Sequence, residues 1–162
     1  MVAVALRQHR EFTAELLAAS KGLPAPAERE IVSFFIPGKP LAFRRAGTNG
    51  VRRYTPASQA SYMRAVGLIA SRAFAGIGPL PGALRMTVAA CWAFPKSYTA
   101  ADRLRRFMTS TPDADNVAKL CADALNGIAY ADDAQFCGLH VSKRFGAIEG
   151  VTVSIEQLEG RS

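Results

Sequence analysis

The sequence has few residues suited to zinc sites or disulfide frameworks. Its 162 residues include only two histidines and three cysteines. The cysteines, Cys91, Cys121 and Cys137, are odd in number and form no Cys-x-x-Cys pair, which disfavours a disulfide framework and a zinc knuckle. We therefore expect reduced, mostly buried thiols and no histidine-rich metal site.

Long apolar segments are lacking as well. No apolar run reaches the roughly 18 residues that a membrane-spanning helix requires. The first residues, MVAVALRQHREFTAELL, become charged too early for a signal peptide. These absences predict a soluble, cytoplasmic protein with no membrane partner.

Positive charge, in contrast, is in excess. Lysine and arginine total 20 against 13 aspartates and glutamates, which gives a net charge of +7. A basic domain of this size is typical of proteins that bind polyanions such as nucleic acids. A solvated basic surface would give the same composition, so the charge alone leaves both interpretations open.

The pattern along the chain predicts an N-terminal extension followed by one domain. Residues 1–30 combine a narrow apolar stripe, typical of a helix over 5–19, with the linker-like stretch KGLPAPAERE. Residues 31–162 are expected to form the domain. Apolar or alternating runs in this domain predict strands over 31–36, 84–94, 136–144 and 150–156.

Helices are predicted between these strands. The first begins with Thr55 as N-cap and Pro56 in the first turn, and continues to about Ala75. The second runs from about Asp115 to Asn126 and stops at a glycine, a good C-terminal cap.

The order of these elements indicates the fold class. A short basic helix is expected over 101–107, and the last two strands are expected to form a closing pair joined through Gly146. Strands and helices in this order predict a small, single-domain α+β fold with a mixed β-sheet packed against helices.

An acidic motif carries the expected chemistry. Asp113 and Asp115 stand two residues apart before a predicted helix, where extended backbone would turn both side chains the same way. Asp132 and Asp133 follow that helix, and tertiary packing could bring them back to its start. Converging carboxylates need a cation, and hard oxygen ligands favour Mg²⁺ or Mn²⁺ over zinc. Lys119 lies on the same helical face as Asp115, where it could hold a scissile phosphate.

Each of these residues also has a structural alternative. An aspartate or asparagine at a helix start is often an N-cap, and Asp115 or Asn116 fits that role. The pair Asp132-Asp133 is typical of a solvated turn. Asp123 is interpreted as one partner of an i,i+4 ion pair or as a buried hydrogen-bond anchor. The spacing alone leaves the metal site and the structural roles open.

The run PDADNVAKLCADALNGIAYADDAQ, from Pro112 to Gln135, resembles the core motif of the RusA family of Holliday junction resolvases. The family pattern is D-x-D-N-x-x-K, then D-A-L-N-G, then D-D-x-Q, and this sequence fills every position. The upstream IPGKP, basic segment and YTP also resemble phage-type members of the family. The resemblance covers about Ile31 to Glu156 and leaves residues 1–30 outside.

The resemblance implies a set of site residues and a Mg²⁺ cofactor, for which Mn²⁺ is expected to substitute. The metal-binding aspartates would be Asp113, Asp115 and Asp133, and the catalytic lysine would be Lys119. Asp132 is the neighbouring acid, which either helps the metal site or shapes the turn. The resemblance also implies a homodimer that binds four-way DNA junctions and nicks two strands symmetrically. One departure is MTSTP directly before the first aspartate, where some members carry basic residues.

Basic residues on both sides of the acidic motif are candidates for phosphate contacts, which supply most sequence-independent DNA affinity. The segment 44–53 is the best candidate because it combines arginines with glycine and asparagine in what is expected to be a mobile loop. The alternative is that some of these arginines only solubilise the surface. Phe43 and Tyr54 are candidates for stacking at a junction, with core or dimer packing as the alternative. Trp92 is expected in the core. The DNA-binding candidates are Lys39, Arg44, Arg45, Arg52, Arg53, Lys143 and Arg144.

The leading hypothesis is a Mg²⁺-dependent endodeoxyribonuclease that resolves Holliday junctions in DNA recombination and repair. One alternative is a protein that binds branched DNA without cutting it. The acidic set argues against that alternative, because a pure binder gains nothing from carboxylates beside phosphates. Another alternative is a related nuclease that prefers flaps or forks, which the sequence does not separate because shape selectivity depends on dimer geometry.

Overall fold

A computed structural model describes residues 30–44, 47–48, 53–54, 56–104 and 107–158 of the chain. The helix expected over 5–19 lies outside these ranges. The strands are β1 (Ile31–Pro37), β2 (Gly47–Thr48), β3 (Arg53–Tyr54), β4 (Leu84–Trp92), β5 (Phe136–Phe145) and β6 (Gly150–Gln157). The helices are α1 (Ala57–Ala73) and α2 (Ala114–Leu125), with three-residue 3₁₀ turns at Asp102–Leu104 and Asp133–Gln135.

A mixed four-stranded sheet in the order β1-β6-β4-β5 forms the centre of the fold. Strand β6 pairs antiparallel with both β1 and β4, whereas β4 and β5 pair parallel. Strands β1, β4 and β5 therefore run in one direction, and β6 runs against them. This arrangement, with the helices packed on the sheet, confirms the expected α+β class.

The expected closing pair of strands is wrong in its pairing. Strands β5 and β6 both exist, but β4 lies between them and pairs with each. The inward-facing residues of β4 are all buried: Leu84, Met86, Val88, Ala90 and Trp92. This apolar character suits the central position, where both edges of the strand are paired.

One face of the sheet is covered by helices. Every second residue of β1, β4 and β6 is buried, as the two-residue period of a strand requires. These residues pack against α1 and α2 in one core, to which the helices contribute Val66, Ala70, Val117, Cys121 and Leu125. Tyr62, Ile69 and Ala73 of α1 pack against the same core.

The predicted helix ends differ slightly from those observed. Pro56 occupies the N-cap position of α1 with an extended ψ of 135°, so the helix begins one residue later than expected. Thr55, the predicted cap, lies outside the described residues. Helix α2 ends where expected, because Gly127 adopts a positive φ of 76°. The short basic helix expected over 101–107 is wrong: its described part contains only the 3₁₀ turn.

The thiols are free where the structure describes them, as expected. Cys121 is buried in the core, and burial raises the pKa of its thiol to about 12. Cys91 is half-buried, but Cys137 is exposed, so the expectation of mostly buried thiols fails at that position. Across the described ranges, no helix is long and apolar enough to cross a membrane.

Candidate active site

A cleft of about 830 Å³ opens at one edge of the sheet. Strands β1, β4 and β5 end at this edge and β6 begins there, because Gly150 pairs with Pro37 and Cys91 while Trp92 pairs with Phe145. In open sheets with parallel strands, ligands commonly bind outside the carboxyl ends of the strands. The position of the cleft therefore marks it as the candidate site.

Both helices start at the cleft. Ser58 and Gln59 from the first turn of α1 line it, as do Asp113 and Asn116 from the start of α2. Helix N-termini carry unpaired N–H groups and a partial positive charge, which favour anions such as phosphates. The cleft thus brings two phosphate-favouring helix ends to one surface.

The segment that follows β1 forms another part of the cleft wall and contributes basic side chains. Lys39 and Arg44 are exposed and line the cleft. The backbone N–H of Arg44 donates to the buried Gln59 side chain at 2.8 Å, and that of Phe43 donates to the carbonyl of Asn116 at 2.8 Å. These two hydrogen bonds fix the basic wall to both helix starts.

Asp113 and Asp115 stand at the start of α2 with exposed carboxylates. Asp113 is the N-cap residue in extended conformation, but its side chain makes no capping hydrogen bond. Asp115 already lies inside the first helical turn, so the extended spacing assumed from the sequence applies to Asp113 alone. The predicted N-cap roles of Asp115 and Asn116 are wrong, because the N-cap is Asp113.

Lys143 holds the loop that leads into Asp113. Its ammonium donates to the carbonyl oxygens of Ser110 and Pro112, at 2.7 Å and 2.6 Å. The side chain extends from β5, so these contacts tie the sheet to the segment before the carboxylate. Lys143 therefore has a positioning contact, and its predicted binding to DNA stays a prediction.

Lys119 lies one turn beyond Asp115 on α2. Its ammonium donates to the Asp123 carboxylate at 3.1 Å and lies 5.0 Å from the centre of the Phe43 ring. The i,i+4 ion pair expected for Asp123 is confirmed. About half of the Lys119 side chain is exposed, so it remains accessible beside the cleft wall.

The second acidic pair lies beyond the other end of α2. Asp132 caps the 3₁₀ turn, where its carboxylate accepts from the N–H of Ala134 at 2.8 Å. The Gln135 side chain completes the capping box by accepting from the N–H groups of Ala131 and Asp132. Asp132 therefore shapes the turn, whereas Asp133 is exposed next to it.

Gln135 also fastens this turn to the segment before β4. Its amide donates to the carbonyl oxygens of Leu80 and Gly82, at 3.1 Å and 3.0 Å. The buried Tyr130 adds a hydrogen bond from its hydroxyl to the carbonyl of Ala122, at 2.7 Å. Burial raises the pKa of Tyr130, and the charge of Asp133 nearby raises it further.

Helix α2 separates the two acidic pairs. The helix has 12 residues, which at about 1.5 Å per residue span about 18 Å. Asp113 and Asp115 lie at its first end, and Asp132 and Asp133 follow its last. Within the part of the chain that the structure describes, no group of three or more His, Cys, Asp or Glu is close enough to hold a metal ion.

The first pair alone still fits one class of metal. Mg²⁺ is commonly bound in proteins by one or two carboxylates, with water and substrate phosphates as the other ligands. Asp113, which lines the cleft, and Asp115, in the first turn of α2, offer one or two such carboxylates, and Glu149 also lines the cleft, where its carboxylate accepts from the N–H of Ala93. Asp133 is not brought to the pair within one described chain.

The remaining DNA-binding candidates are scattered. Arg144 is exposed at the end of β5 and does not line the cleft. Arg53 lies in β3, which pairs antiparallel with β2. Arg45 and Arg52 lie outside the described residues. Trp92 is buried as expected, and it also forms part of the cleft floor.

Sequence reasoning missed the residues that hold the cleft together. Gln59, Glu149 and Lys143 do so through hydrogen bonds to backbone groups distant in sequence. No spacing signal identifies such contacts, because each depends on the tertiary fold. Gln135 could have been identified from the sequence, because it is the last residue of the D-D-x-Q motif.

Comparison with known proteins identifies the family. The model of a family described as Endodeoxyribonuclease RusA matches residues 37–156, well over half of the chain. The chain belongs to the RusA family. Membership of this family indicates, in general terms, an endodeoxyribonuclease that resolves Holliday junctions, and proteins of the family bind branched DNA junctions. The match contains the whole cleft and both acidic pairs of this RusA-family chain.

A curated relative is similar over nearly its whole length. It is an uncharacterized protein, YqaN, of Bacillus subtilis strain 168, and it is 29% identical over 140 residues, which cover 80% of this chain and 98% of YqaN. The family match begins at Pro37, so the predicted boundary between an extension at 1–30 and a domain at 31–162 stays a prediction.

Proposed function

We propose that this protein is a Mg²⁺-dependent, structure-specific endonuclease that resolves four-way DNA junctions by paired, symmetric nicks. One observation carries the proposal. The carboxylate of Asp113, which makes no capping hydrogen bond, lines a cleft that also carries Lys39 and Arg44, and Asp115 follows it in the first turn of α2, in a chain that matches the RusA family model.

The proposed metal ligands are Asp113 and Asp115, with Asp133 as the third aspartate expected from the family motif. A bound Mg²⁺ would lower the pKa of a coordinated water and stabilise charge on the scissile phosphate. The chain's own contribution is to fix the ligands: α2 sets the spacing of the pair, and Lys143 holds the loop before it.

For Asp133 to bind the same metal ion as Asp113 and Asp115, a second copy of the chain is required. Asp133 follows the far end of α2, and the helix itself is about 18 Å long. In a homodimer whose twofold contact places each protomer's turn at 132–135 beside residues 113–115 of its partner, Asp133 would complete the site. We propose the homodimer as the functional unit, since symmetric nicks on two strands need two active sites.

Lys119 is proposed to contact the scissile phosphate. Its ammonium is partly exposed and already neutralises Asp123 at 3.1 Å. An exposed ion pair of this kind contributes only about 0.3–0.5 kcal/mol, so a phosphate can compete for the ammonium at little cost. The Phe43 ring beneath it limits the positions that the ammonium can take.

The DNA strand is proposed to lie in the cleft. Lys39, Arg44 and the N-termini of α1 and α2 supply positive charge for phosphates in the cleft. These contacts are independent of sequence, so junction shape rather than base identity would select the substrate.

The separation of Asp133 from the first pair favours one alternative, a protein that binds branched DNA and does not cut it. Binding would use the same basic cleft, and the carboxylates would then have no catalytic part. The alternative predicts junction binding that Mg²⁺ does not convert into cleavage.

Cleavage of a synthetic four-way junction tests the proposal. The full-length protein is incubated with the junction in Mg²⁺, in Mn²⁺ and in EDTA, with linear duplex, flap and fork DNA as controls. We expect paired, symmetric nicks in either metal and none in EDTA or with Asp115→Asn. Binding without nicks in both metals would overturn the nuclease, and preferred cutting of flaps would overturn the substrate.

A further inference from the structure

A second groove, of about 540 Å³, lies on the face of the sheet that the helices do not cover. Phe35, Ala89, Cys91 and Thr152 contribute to its floor. They alternate along their strands with buried residues such as Ile36, which face the helices. The groove is therefore separate from the cleft and faces the opposite side of the sheet.

Two exposed arginines border this groove, and no acidic residue lines its described part. The Arg103 guanidinium lies 5.8 Å from the centre of the Phe94 ring, and Arg144 extends from the end of β5. The guanidinium stacked on an aromatic ring keeps its donors free to point outward. The groove thus offers positive charge on an aromatic surface.

An aromatic wall connects the groove to the cleft. The rings of Phe94 and Phe145 stack with their centres 5.4 Å apart, and Tyr98 meets Phe145 edge-on at 5.5 Å. Phe145 lines both cavities, Tyr98 lines the cleft, and Phe94 lines the groove. A DNA strand that leaves the cleft at Asp113 can therefore reach the groove by passing over this aromatic wall.

Phe35 supplies a flat ring at the far side of the groove. It is 43% exposed, and its ring rests on Gly150, where a Cβ atom would collide with it. The glycine thus lets one face of the ring lie against the backbone. Its outer face is available for stacking, and a base stacks on an aromatic ring whatever its identity, because every base has a π-face.

We propose that this groove binds the DNA strand that continues from the active-site cleft, with Arg103 and Arg144 on phosphates and Phe35 beneath an unpaired base. The inference rests on the proposed function for its substrate. A second copy of the chain is the less favourable occupant, because a twofold contact of this patch with itself would bury the arginines of both copies in an interface whose described lining has no acidic residue to pair with them.

Equilibrium binding tests the groove without relying on cleavage. A fluorescent four-way junction is titrated in EDTA, over a series of salt concentrations, with the full-length protein and with Arg103→Gln, Arg144→Gln and Phe35→Ala. The matched control is Arg72→Gln, which removes an equal charge from the exposed last turn of α1. Thermal unfolding of each variant shows that it is folded.

We expect each groove arginine variant to bind roughly tenfold more weakly and to lower the slope of log K against log salt by about 0.9, as the loss of one phosphate contact requires. Phe35→Ala is expected to weaken binding with an unchanged slope. The control is expected to match the wild type. Groove variants that bind like Arg72→Gln would overturn the proposal, even if the wild type cuts junctions.

The outcomes also separate this inference from the proposed function. Weaker binding by the groove variants together with a wild type that never cuts would support the groove and overturn the nuclease. A change of sedimentation coefficient in the double variant Arg103→Gln, Arg144→Gln without DNA would identify the groove as an interface between protomers. That result would overturn the proposal.

Discussion

The two ends of helix α2 carry similar aspartates in very different surroundings. At its start, Asp113 makes no capping hydrogen bond and lines the basic cleft. Beyond its end, Asp132 is part of a complete capping box with Gln135, which is itself anchored to the segment before β4. One motif thus contains an aspartate whose carboxylate makes no capping hydrogen bond and a turn that is stabilised by a capping box.

The comparison shows that acidic residues in a motif need not share one role. A carboxylate that accepts backbone N–H groups lowers the cost of a turn and is less available to a cation. A carboxylate that makes no capping bond at a helix start, like that of Asp113, contributes little to folding beyond its favourable interaction with the helix dipole. Substitutions at the start of α2 should therefore lower activity, and substitutions in the turn beyond its end should lower stability.

The largest expected effect is on cleavage, from Asp115→Asn. We expect junction cleavage to fall by at least about 10²-fold, because an amide is a poor Mg²⁺ ligand compared with a carboxylate. The free energy of unfolding should change by less than about 1 kcal/mol, since only a helix-dipole interaction is lost. Initial rates on a junction and urea unfolding measure the two quantities. A destabilised protein with unchanged cleavage would reverse the roles of the two ends.

Gln135→Ala is expected to have the opposite profile. Its side chain makes four hydrogen bonds to backbone groups, and each contributes about 0.5–1.5 kcal/mol. We expect a loss of roughly 2–3 kcal/mol of stability, which urea unfolding measures. Gln135→Glu is the matched control, because it keeps the two acceptor contacts and loses the two donated ones. Equal stability of wild type and Gln135→Ala would show that the turn is not fixed in this way.

Lys143→Met tests the loop that leads into the first pair. The variant keeps the length of the side chain but removes the ammonium that two carbonyl oxygens accept from at 2.6 Å and 2.7 Å. We expect a loss of about 1–2 kcal/mol of stability, reduced from the value for buried charged contacts by partial exposure. Cleavage should fall through kcat, because the position of Asp113 changes. A change confined to KM for the junction would instead assign Lys143 to DNA binding.

The smallest expected effect distinguishes the neighbours Asp132 and Asp133. Asp132→Ala should cost about 1 kcal/mol, the usual contribution of a capping side chain. Asp133→Ala is the matched control and should leave stability within about 0.5 kcal/mol of the wild type, as for an exposed surface substitution. Thermal unfolding of both variants measures the difference. A larger loss with Asp133→Ala would show that Asp133, and not Asp132, stabilises the turn.

Much of the fold follows from local patterns in the sequence. The alternating apolar residues of β4 and β6 and the apolar face of α1 each predict an element that the structure contains. The glycine at Gly127 marks the end of α2, because its positive φ is accessible to glycine at no steric cost. These signals are local, so they are readable without knowledge of the tertiary fold.

Strand order was not predictable in the same way. Strands β5 and β6 follow each other closely in the chain and were expected to pair, but β4 separates them. The choice depends on burial over the whole sheet, where β4 has an apolar inner face and small residues such as Ala89 on the other. The short segment between β5 and β6 gives no sign that β4 will lie between them.

The sequence motif supplies candidate site residues, which stay a prediction, but it does not supply their geometry. The motif identifies Asp113, Asp115 and Lys119, but the extended spacing assumed for the first pair breaks at Ala114, where the helix begins. The position of Asp133 depends on α2 and on the turn that follows it, which residue spacing does not reveal. The contacts of Lys143 and Gln59 were unpredictable because their partners are backbone groups of other elements.

The most direct test of the proposed active site is to locate the metal itself. Fe²⁺ replaces Mg²⁺ in the full-length protein, and ascorbate with peroxide generates hydroxyl radicals that cut the polypeptide beside the ion. We predict cuts close to residues 113–115 that excess Mg²⁺ suppresses and that Asp113→Asn with Asp115→Asn abolishes. Additional cuts at 132–135 would show that Asp133 reaches the same ion. Cuts confined to 132–135, or cuts that survive the double substitution, would contradict the assignment of the metal to the start of α2.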